Sequence, residues 1–373
     1  MRIVFLTSSL SAGGAERVAS TLVNAWNDRG DTVTIIPTFS GGGEPFYALN
    51  ENVELVYLAS LVSGNGKSLS GYIKRLLALR GLLIARKPDV VVSFLPNVNV
   101  AVIIALFFCQ IPLVICERSD PSCIPIPPVW RLAIRIFYRF ADVLTVQTLA
   151  VAEKARTMFP GVKKIIAIAN PLPDGVVKTK LANAGNVRRV LLSLGRLSEE
   201  KQIHFVIDAF ARLQEKFPDW DLHIVGDGPT RPDLEQQVRA LGLQDRILFK
   251  GKTSEPWQVM SQADVFVMTS QFEGFPNALM EAMGIGLPCV TFDTPSGPRE
   301  LSENGECALL VPFNDSEGLL SALQALFADA ELRKKLGEKA KASVLGRYRL
   351  PVVLAQWDKL FAEIGVDVSN VKS

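Results

Sequence analysis

An alternation of two kinds of segment runs along this chain twice and limits what it can fold into. Short apolar, β-branched segments recur, and longer amphipathic segments separate several of them. Buried strands of a parallel sheet have this composition, because helices cover both faces of the sheet. The pattern predicts the α/β class, with two facing, doubly wound parallel-sheet (Rossmann-like) domains. The predicted strands are Ile3–Thr7, Thr32–Pro37, Val53–Leu58, Val90–Phe94, Leu113–Cys116, Val143–Gln147, Ile165–Ala169, Val190–Leu194, Leu222–Val225, Ile247–Phe249, Val265–Met268, Cys289–Phe292 and Ala308–Val311.

One interruption of the alternation sets the predicted domain borders. Residues 171–187 contain two prolines, two glycines and no long apolar run, so we predict a linker there. The linker separates an N-terminal domain, residues 1–170, from a second domain, residues 188–350. The predicted helices are Glu16–Arg29, Lys67–Arg86, Ile203–Lys216, Arg231–Ala240, Asn277–Gly284, Ser316–Ala328, Ala330–Leu345 and Pro351–Ile364.

Composition excludes several classes of protein. The formal net charge of a 373-residue chain is only +2, which argues against a nucleic-acid-binding protein. Five cysteines without a C-x-x-C pair and two histidines give a disulfide framework or a zinc site little to build on. The longest apolar stretch, Val100–Cys109, is too short to span a bilayer, and no signal peptide opens the sequence. We therefore expect a soluble or peripheral cytoplasmic protein.

The first candidate binding loop follows the first predicted strand. In doubly wound sheets, ligands lie beyond the carboxyl ends of the strands. Gly13 and Gly14 allow close backbone approach there, and the helix that follows offers free N–H groups to an anion. The spacing matches neither the G-x-G-x-x-G dinucleotide fingerprint nor the P-loop. A plain tight turn is the alternative interpretation.

The second candidate loop is Gly195-Arg-Leu-Ser-Glu-Glu-Lys201, after the first strand of the second domain. Arg196 and Lys201 are five residues apart across a strand–loop–helix junction, so both can point at one spot above the sheet edge. A guanidinium fork with a point charge suits a diphosphate. Two solvated surface cations are the alternative.

The third candidate loop carries Glu273 and Glu281, which flank seven residues. Glu273 lies in a Gly/Pro loop after the strand Val265–Met268, and Glu281 lies about one turn into the next helix. Asn277 is the predicted N-cap of that helix, whose N-terminus again suits an anion. The alternative is a capped surface helix, but two phenylalanines and a proline crowd the loop more than solubility requires.

These segments resemble those of retaining, nucleotide-sugar-dependent glycosyltransferases with the GT-B fold, family four, the glycosyltransferase group 1 type. The G-R-L-x-x-x-K and Glu-x7-Glu segments match, and the Gly-Gly-Ala-Glu loop, Gly226-Asp-Gly-Pro229 and Ala308-Leu-Leu-Val-Pro312 occur in the same order. The resemblance covers essentially the whole chain. It is strongest to bacterial enzymes that extend polyprenyl-diphosphate-linked glycans or surface polysaccharides, of the N-acetylgalactosamine transferase and amylovoran types.

The resemblance implies a role for each matching residue. Arg196 and Lys201 are expected to hold the donor diphosphate, Glu281 the ribose hydroxyls and Glu273 the hydroxyls of the transferred sugar. The loop Lys250–Lys252 is expected beside the nucleobase. The last helix, residues 351–365, is expected to cross back to the first domain. The remaining expected donor-binding residues are Gly13, Gly14, Gly195, Phe275, Pro276, Asn277 and Ala278.

The resemblance also bears on the reaction centre. Many relatives have a histidine where this chain has Arg118, which cannot act as a base at neutral pH. Retention in the family is often ascribed to front-face attack, in which the donor phosphate accepts the acceptor's proton. We assign Arg118 and Glu16 to the acceptor or the reaction centre. No metal or other cofactor is expected, because two cations and two helix N-termini can stabilise the leaving group. Asp219-Trp-Asp221 matches the D-x-D metal motif, but we interpret it as a turn before a strand.

Two basic stretches indicate an anionic membrane surface as a partner. Residues 1–180 contain 19 Lys/Arg and 12 Asp/Glu, a net charge of +7, and the remainder contains 21 and 26, a net of −5. Residues 67–87 carry six basic residues and no acidic one, with apolar residues between them. Residues 130–140 place three arginines on one helix face. Such helices bind anionic lipid surfaces or a lipid-linked diphosphate. The alternative is that the apolar faces are core and the cations are solvated.

The sequence thus predicts a peripheral enzyme on the cytoplasmic face of the membrane. It would move a hexose or N-acetylhexosamine from a nucleotide sugar, with UDP as the expected nucleotide, to a lipid-linked saccharide in polysaccharide or glycoconjugate biosynthesis. A GT-B nucleotide-sugar epimerase or a non-catalytic nucleotide-sugar binding protein is the alternative. A phosphorylase on this scaffold would be much longer and would carry a pyridoxal lysine.

Overall fold

The computed structural model describes residues 1–62, 68–123, 127–182 and 188–368. The chain forms two compact units, Met1–Pro171 with Val353–Ser373, and Leu172–Val352. The strands are β1 Arg2–Thr7, β2 Thr32–Pro37, β3 Glu54–Leu55, β4 Val90–Phe94, β5 Leu113–Cys116, β6 Val143–Val146, β7 Ile165–Ala167, β8 Arg189–Leu194, β9 Trp220–Val225, β10 Ile247–Gly251, β11 Val265–Met268, β12 Cys289–Asp293 and β13 Leu309–Pro312. The helices are α1 Gly14–Asp28, α2 Leu69–Arg86, α3 Pro96–Ala105, α4 Pro128–Phe137, α5 Leu149–Met158, α6 Asp174–Lys178, α7 Ile203–Leu213, α8 Arg231–Ala240, α9 Pro256–Ser261, α10 Asn277–Ile285, α11 Pro298–Leu301, α12 Ser316–Ala328, α13 Ala330–Tyr348 and α14 Leu350–Glu363.

The first unit is built on a seven-stranded sheet in the order β3-β2-β1-β4-β5-β6-β7. All its strand pairs are parallel, and β4, β5 and β6 are buried along their whole length, as continuous apolar runs require. The predicted edge strand Val53–Leu58 shortens to β3, because only two of its residues pair with β2. The chain then turns into a 3₁₀ helix at Leu58–Leu61.

Helix α14 completes the core of the first unit. The Trp26 and Trp357 rings meet edge to face at 5.7 Å, and Phe361 packs on both. The Arg29 guanidinium donates to both carboxylate oxygens of Asp358 at 2.7 and 2.9 Å. The last predicted helix therefore leaves the second unit and packs on the first.

The second unit has a six-stranded parallel sheet in the order β10-β9-β8-β11-β12-β13. Its core holds Phe210, Trp220 and Phe292, all fully buried, and Trp220 stacks on Phe327 at 3.9 Å. The two sheets confirm the predicted α/β class with two parallel-sheet domains.

Part of the predicted linker belongs to the second unit. The Leu172 N–H donates to the Tyr348 carbonyl at 2.6 Å, and Leu172 and Val176 pack against Gly284 of α10. Residues 174–178 form α6. The predicted linker is therefore structured over its first residues, and residues 183–187 lie outside the described ranges.

Three helices of the first unit, α3, α4 and α5, alternate with strands as the doubly wound pattern requires. Helix α3 covers most of the long apolar stretch and is buried on most of its surface, so no amphipathic period marks it in the sequence. Among the described residues no helix is both long and apolar enough to cross a bilayer.

Candidate active site

The order of strands in the second unit reverses between β8 and β11, so the loops after these two strands lie side by side at one edge of the sheet. Lys201 and Glu273 meet there, with Nζ donating to Oε1 at 2.6 Å. The Ser270 hydroxyl donates to the same oxygen at 2.7 Å, and the Thr269 hydroxyl donates to the Lys201 carbonyl at 3.0 Å. The structure therefore brings together two of the predicted site residues.

The ion pair between Lys201 and Glu273 is partly buried, with side chains that are 24% and 14% exposed. Partial burial strengthens the electrostatic interaction between the two side chains and the interaction of either one with a further charged group. An ammonium can bind a phosphoryl oxygen, and the adjacent carboxylate can accept hydrogen bonds from hydroxyls. The pair thus offers adjacent sites for an anion and for a hydroxyl-rich group.

The loop that carries Arg196 is supported from behind by the loop after β9. A Cβ on Gly226, whose φ is +138°, would lie 1.8 Å from the Gly195 carbonyl oxygen, so only glycine fits. The Gly195 and Leu197 N–H groups donate to carbonyls of Val225 and Asp227 at 3.0 and 3.1 Å.

The Arg196 side chain is exposed above this support and has no ion pair among the described residues. Gly195 has open space where a Cβ would lie. The close packing of the two loops therefore depends on Gly226 and not on Gly195.

Glu281 lies in the second turn of α10, as predicted, and is 1% exposed. The Trp257 indole N–H, from α9, donates to Glu281 Oε2 at 3.1 Å. The Trp257 ring lies against Gly175 of α6, where an added Cβ would be 2.0 Å from Cζ3. No sequence motif marks Trp257, which lies between the predicted strands Ile247–Phe249 and Val265–Met268.

The N-terminus of α10 differs from the prediction in one residue. Pro276 is the N-cap, without a side-chain hydrogen bond, and Asn277 is the first helical residue, so Asn277 as N-cap was wrong. Phe275 and Pro276 are buried, and the Phe275 ring meets Tyr348 at 5.6 Å. Their side chains support the loop from inside, which leaves their backbone, with Ala278, to approach a ligand.

In the D-x-D segment, the Asp221 carboxylate is paired with two arginines. Asp221 Oδ2 accepts from Arg188 at 2.6 Å and Oδ1 from Arg246 at 2.9 Å. Burial acts to raise the pKa of Asp221, but the hydrogen bonds from the two guanidinium groups outweigh it and lower the pKa. No cluster of three or more potential metal ligands occurs among the described residues.

At the first unit's sheet edge, Glu16 folds back over the glycine loop. Helix α1 begins at Gly14 with Gly13 as its N-cap. A Cβ on Gly13 would lie 2.2 Å from Glu16 Oε2, and the Ser9 hydroxyl donates to Oε1 at 3.1 Å. A carboxylate at this position complements the positive end of the helix, where an external anion could also bind.

Arg118 follows β5 and is 8% exposed. Its guanidinium lies 4.2 Å from the centroid of the Phe94 ring and donates to the side-chain oxygen of Asn170, which also accepts from Gln147 at 3.1 Å. Desolvation lowers the pKa of Arg118 to about 10, so it stays a cation at neutral pH. Its Nε is buried and has no hydrogen-bond partner within the described ranges. Arg118 is therefore a buried cation, and no carboxylate among the described residues forms an ion pair with it.

Glu117 belongs to a different network from its neighbour Arg118. The Tyr138 hydroxyl donates to Glu117 Oε1 and accepts from Asn99 at 3.2 Å. Desolvation raises the pKa of Glu117 to about 7, while the hydrogen bond from Tyr138 acts to lower it. Glu117 was not predicted from the sequence, although a Glu-Arg pair directly after a buried strand was a usable signal.

Helix α4, the turn that follows it and Phe108 form an exposed surface, which we call the aromatic-basic surface. Its apolar members are Phe108, Val129, Leu132, Ile136 and Phe140, which are 93, 78, 59, 41 and 50% exposed. Its basic members, Arg131, Arg135 and Arg139, are also exposed and lie one residue before three of them. Val129, Leu132 and Ile136 lie on α4 itself. Arg139 and Phe140 lie in the 3₁₀ turn that follows it, and Phe108 lies in the loop after α3. All of these apolar residues are exposed, so they are not core.

Helix α2 is less available as a basic surface than its sequence indicated. Arg80 donates to the carbonyls of Ala105 and Phe107 at 2.7 and 3.0 Å, and Arg86 pairs with Glu54 at 2.9 Å. Two of the six basic residues of 67–87 are therefore used inside the fold, and Lys67 lies outside the described residues.

Comparison with known proteins places these features in a family. Residues 13–171 match the Glycosyl transferase 4-like domain, and residues 180–343 match Glycosyl transferases group 1. An N-acetyl-D-galactosaminyltransferase of Campylobacter jejuni, named for a diNAcBac-PP-undecaprenol-linked saccharide, is 29% identical over 369 residues, which is 98% of this chain and 99% of that protein.

Two solved structures share the fold. Sucrose-phosphate synthase from Thermosynechococcus elongatus superposes with a TM-score of 0.83 at 18% identity and covers 97% of this chain and 98% of its own. Anabaena HepE in complex with UDP superposes with a TM-score of 0.79 at 20% identity and covers 97% of this chain and 100% of its own.

Proposed function

Since the chain belongs to the glycosyltransferase group 1 family, has the GT-B fold and is a hexosyl or N-acetylhexosaminyl transferase, we propose the substrates and the course of its reaction. The donor is a UDP-sugar, the acceptor is a saccharide on a lipid diphosphate, the configuration at the anomeric carbon is retained, and no metal ion takes part. The observation that carries the donor assignment is the Lys201–Glu273 pair at the point where the strand order reverses.

The residues at this edge suit the two ends of a nucleotide sugar. Lys201 and the exposed Arg196 supply positive charge for the diphosphate, which gains charge as it leaves. Glu273 accepts hydrogen bonds from the transferred sugar, and Glu281 from the ribose. When the donor binds, Lys201 shifts its interaction from the Glu273 carboxylate to a phosphoryl oxygen, so the existing pair keeps the site neutral until then.

Two charged residues that follow β5 in the first unit are not available as a base at neutral pH. Arg118 is a cation, and Glu117 is buried against Tyr138. Proton transfer from the acceptor to the donor phosphate, with front-face attack, needs neither. We assign Arg118, a buried cation with an unsatisfied Nε, to an anionic group of the acceptor, and Glu16 to the reaction centre.

Transfer assays test the donor assignment. Lys201→Ala and Glu281→Ala should each lower kcat/KM for a UDP-sugar by about 100-fold or more, as expected for the loss of a charge-assisted contact. Arg212→Ala is the matched control, because it removes the exposed pair of Arg212 with Glu317 in the same unit. Wild-type turnover in both site variants would refute the assignment. Product anomeric configuration by NMR tests retention, and full activity in EDTA tests metal independence.

The aromatic-basic surface is proposed to bind an anionic bilayer from the cytoplasmic side. Three arginines at about 1 kcal/mol each would add to the burial of exposed apolar side chains in the interface. Helix α2 contributes less than its sequence indicated, because Arg80 and Arg86 are engaged.

Flotation with vesicles tests this surface. Wild type should bind vesicles that contain phosphatidylglycerol and dissociate in high salt, and Arg131→Gln/Arg135→Gln/Arg139→Gln should bind at least tenfold more weakly. Binding that ignores anionic lipid and survives high salt would refute electrostatic docking.

The epimerase and sensor alternatives are not favoured, because the named relatives are transferases.

A further inference from the structure

We propose that Trp257 is a positioning residue that orients the Glu281 carboxylate toward the ribose of the donor nucleotide. Gly175, which lacks a side chain, leaves the space that the Trp257 ring occupies. The inference rests on the proposed function, which assigns Glu281 to the ribose. It adds two residues of α9 and α6 that no motif of the sequence indicated.

The Glu281 carboxylate needs a fixed donor. The residue is 1% exposed within α10, and a buried carboxylate is costly unless hydrogen bonds satisfy it. The Trp257 indole N–H supplies such a bond to Oε2 at 3.1 Å. An indole N–H only donates, so it holds one oxygen while the carboxylate remains an acceptor for a hydroxyl.

The indole itself is held in place from two sides. Pro256 begins α9 and fixes the backbone at the start of this short helix. On the other side, Gly175 leaves the space that the ring fills, since a Cβ there would lie 2.0 Å from Cζ3 and 2.3 Å from Cε3 of Trp257. Any residue larger than glycine at 175 must therefore displace the ring or the α6 backbone.

The position of Trp257 along the chain fits this role. Helix α9 follows β10 and the loop that is expected beside the nucleobase. A side chain from α9 that reaches α10 therefore links the base side of the nucleoside to the ribose carboxylate. The three residues Gly175, Trp257 and Glu281 belong to the same unit.

If Trp257 were only structural, it would support the fold and would not affect recognition of the ribose. The two roles differ in how they respond to the 2′-hydroxyl. If Trp257 orients Glu281, then loss of its N–H weakens UDP binding and leaves binding of 2′-deoxy-UDP almost unchanged. If it only packs, both nucleotides weaken together or neither does.

The experiment is isothermal titration of the full chain with UDP and with 2′-deoxy-UDP. Wild type should prefer UDP by about tenfold, and Trp257→Phe, which keeps the ring and removes the N–H, should reduce that preference to about twofold. Gly175→Ala should reduce it likewise by displacing the ring. Trp130→Phe, in the other unit, should leave it unchanged.

The outcomes separate the inference from the proposed function. Lys201→Ala should weaken both nucleotides by the same factor, because it acts on the diphosphate. If wild type binds UDP and Lys201→Ala weakens it, but Trp257→Phe keeps the tenfold preference, the inference fails and the proposed function stands. If wild type binds neither nucleotide, the UDP assignment fails and the inference with it. Equal weakening of both nucleotides in Trp257→Phe assigns the residue to packing alone and overturns the inference.

Discussion

Glu117 should make the stability of the first unit fall as the pH rises through neutrality. Burial raises its pKa from 4.5 to about 7. Between these two values the folded unit holds a proton that the unfolded chain has already released, so a rise in pH favours unfolding. The contribution to stability is therefore complete below pH 4.5 and is lost as the pH rises through 7.

The size of the effect follows from the shift in pKa. A difference of about 2.5 units, at about 1.4 kcal/mol per unit, corresponds to about 3 kcal/mol. The group is 4% exposed, so solvent screening does not reduce this figure much. For a unit of this size, about 3 kcal/mol corresponds to a change in Tm of roughly 6–12 °C.

The assay compares thermal unfolding of wild type and Glu117→Gln at pH 5 and pH 8. The amide has the shape of the protonated acid and still accepts the Tyr138 hydroxyl, so it isolates ionisation from packing. The variant should be more stable than wild type by about 3 kcal/mol at pH 8 and lie within about 1 kcal/mol of it at pH 5. Glu51→Gln, an exposed acid in the same unit, should follow wild type. Parallel Tm profiles for wild type and Glu117→Gln would refute the reasoning.

Three further changes test other parts of the structure. Gly226→Ala should destabilise the second unit by about 2 kcal/mol or more in urea unfolding and lower kcat/KM, because the added Cβ would meet the Gly195 carbonyl. The control Gly346→Ala, in open space on α13, should be neutral or stabilising. Asp358→Ala should cost about 1–2 kcal/mol by the same measurement, and an unchanged midpoint would contradict the role of α14 in the first unit's core. Phe108→Gly should raise stability by about 1 kcal/mol, because φ is +68° there, and weaken vesicle binding about tenfold; unaltered flotation would remove Phe108 from the docking surface.

Pattern alone predicted the two sheets well, because each buried strand must be a continuous apolar run whatever surrounds it. It failed at β3, where only pairing with β2 decides the length. It also failed at α3, whose apolar residues are spread around the helix and so show no helical period. Lys201 and Glu273 were each predicted as site residues, but their contact depends on the strand order, which places the loops after β8 and β11 side by side.

The residues that support the site could not be predicted from the sequence. Trp257, Gly175 and Tyr138 act through contacts with residues far along the chain, and no local spacing encodes such contacts. The exposed stripe on α4 was ambiguous for a related reason. Its apolar residues suit a core and a surface equally, and only packing decides between them.

The packing of α14 on the first unit has a consequence for synthesis. Trp357 and Phe361 fill part of the core around Trp26, but the ribosome makes them only after the whole second unit. The roughly 180 intervening residues take about 10–40 s at bacterial or eukaryotic elongation rates. During that time the nascent first unit presents an uncovered tryptophan face, while the second unit can fold to completion. The unit that begins first on the ribosome is thus the one that matures last, and it is the one that a chaperone would be expected to hold.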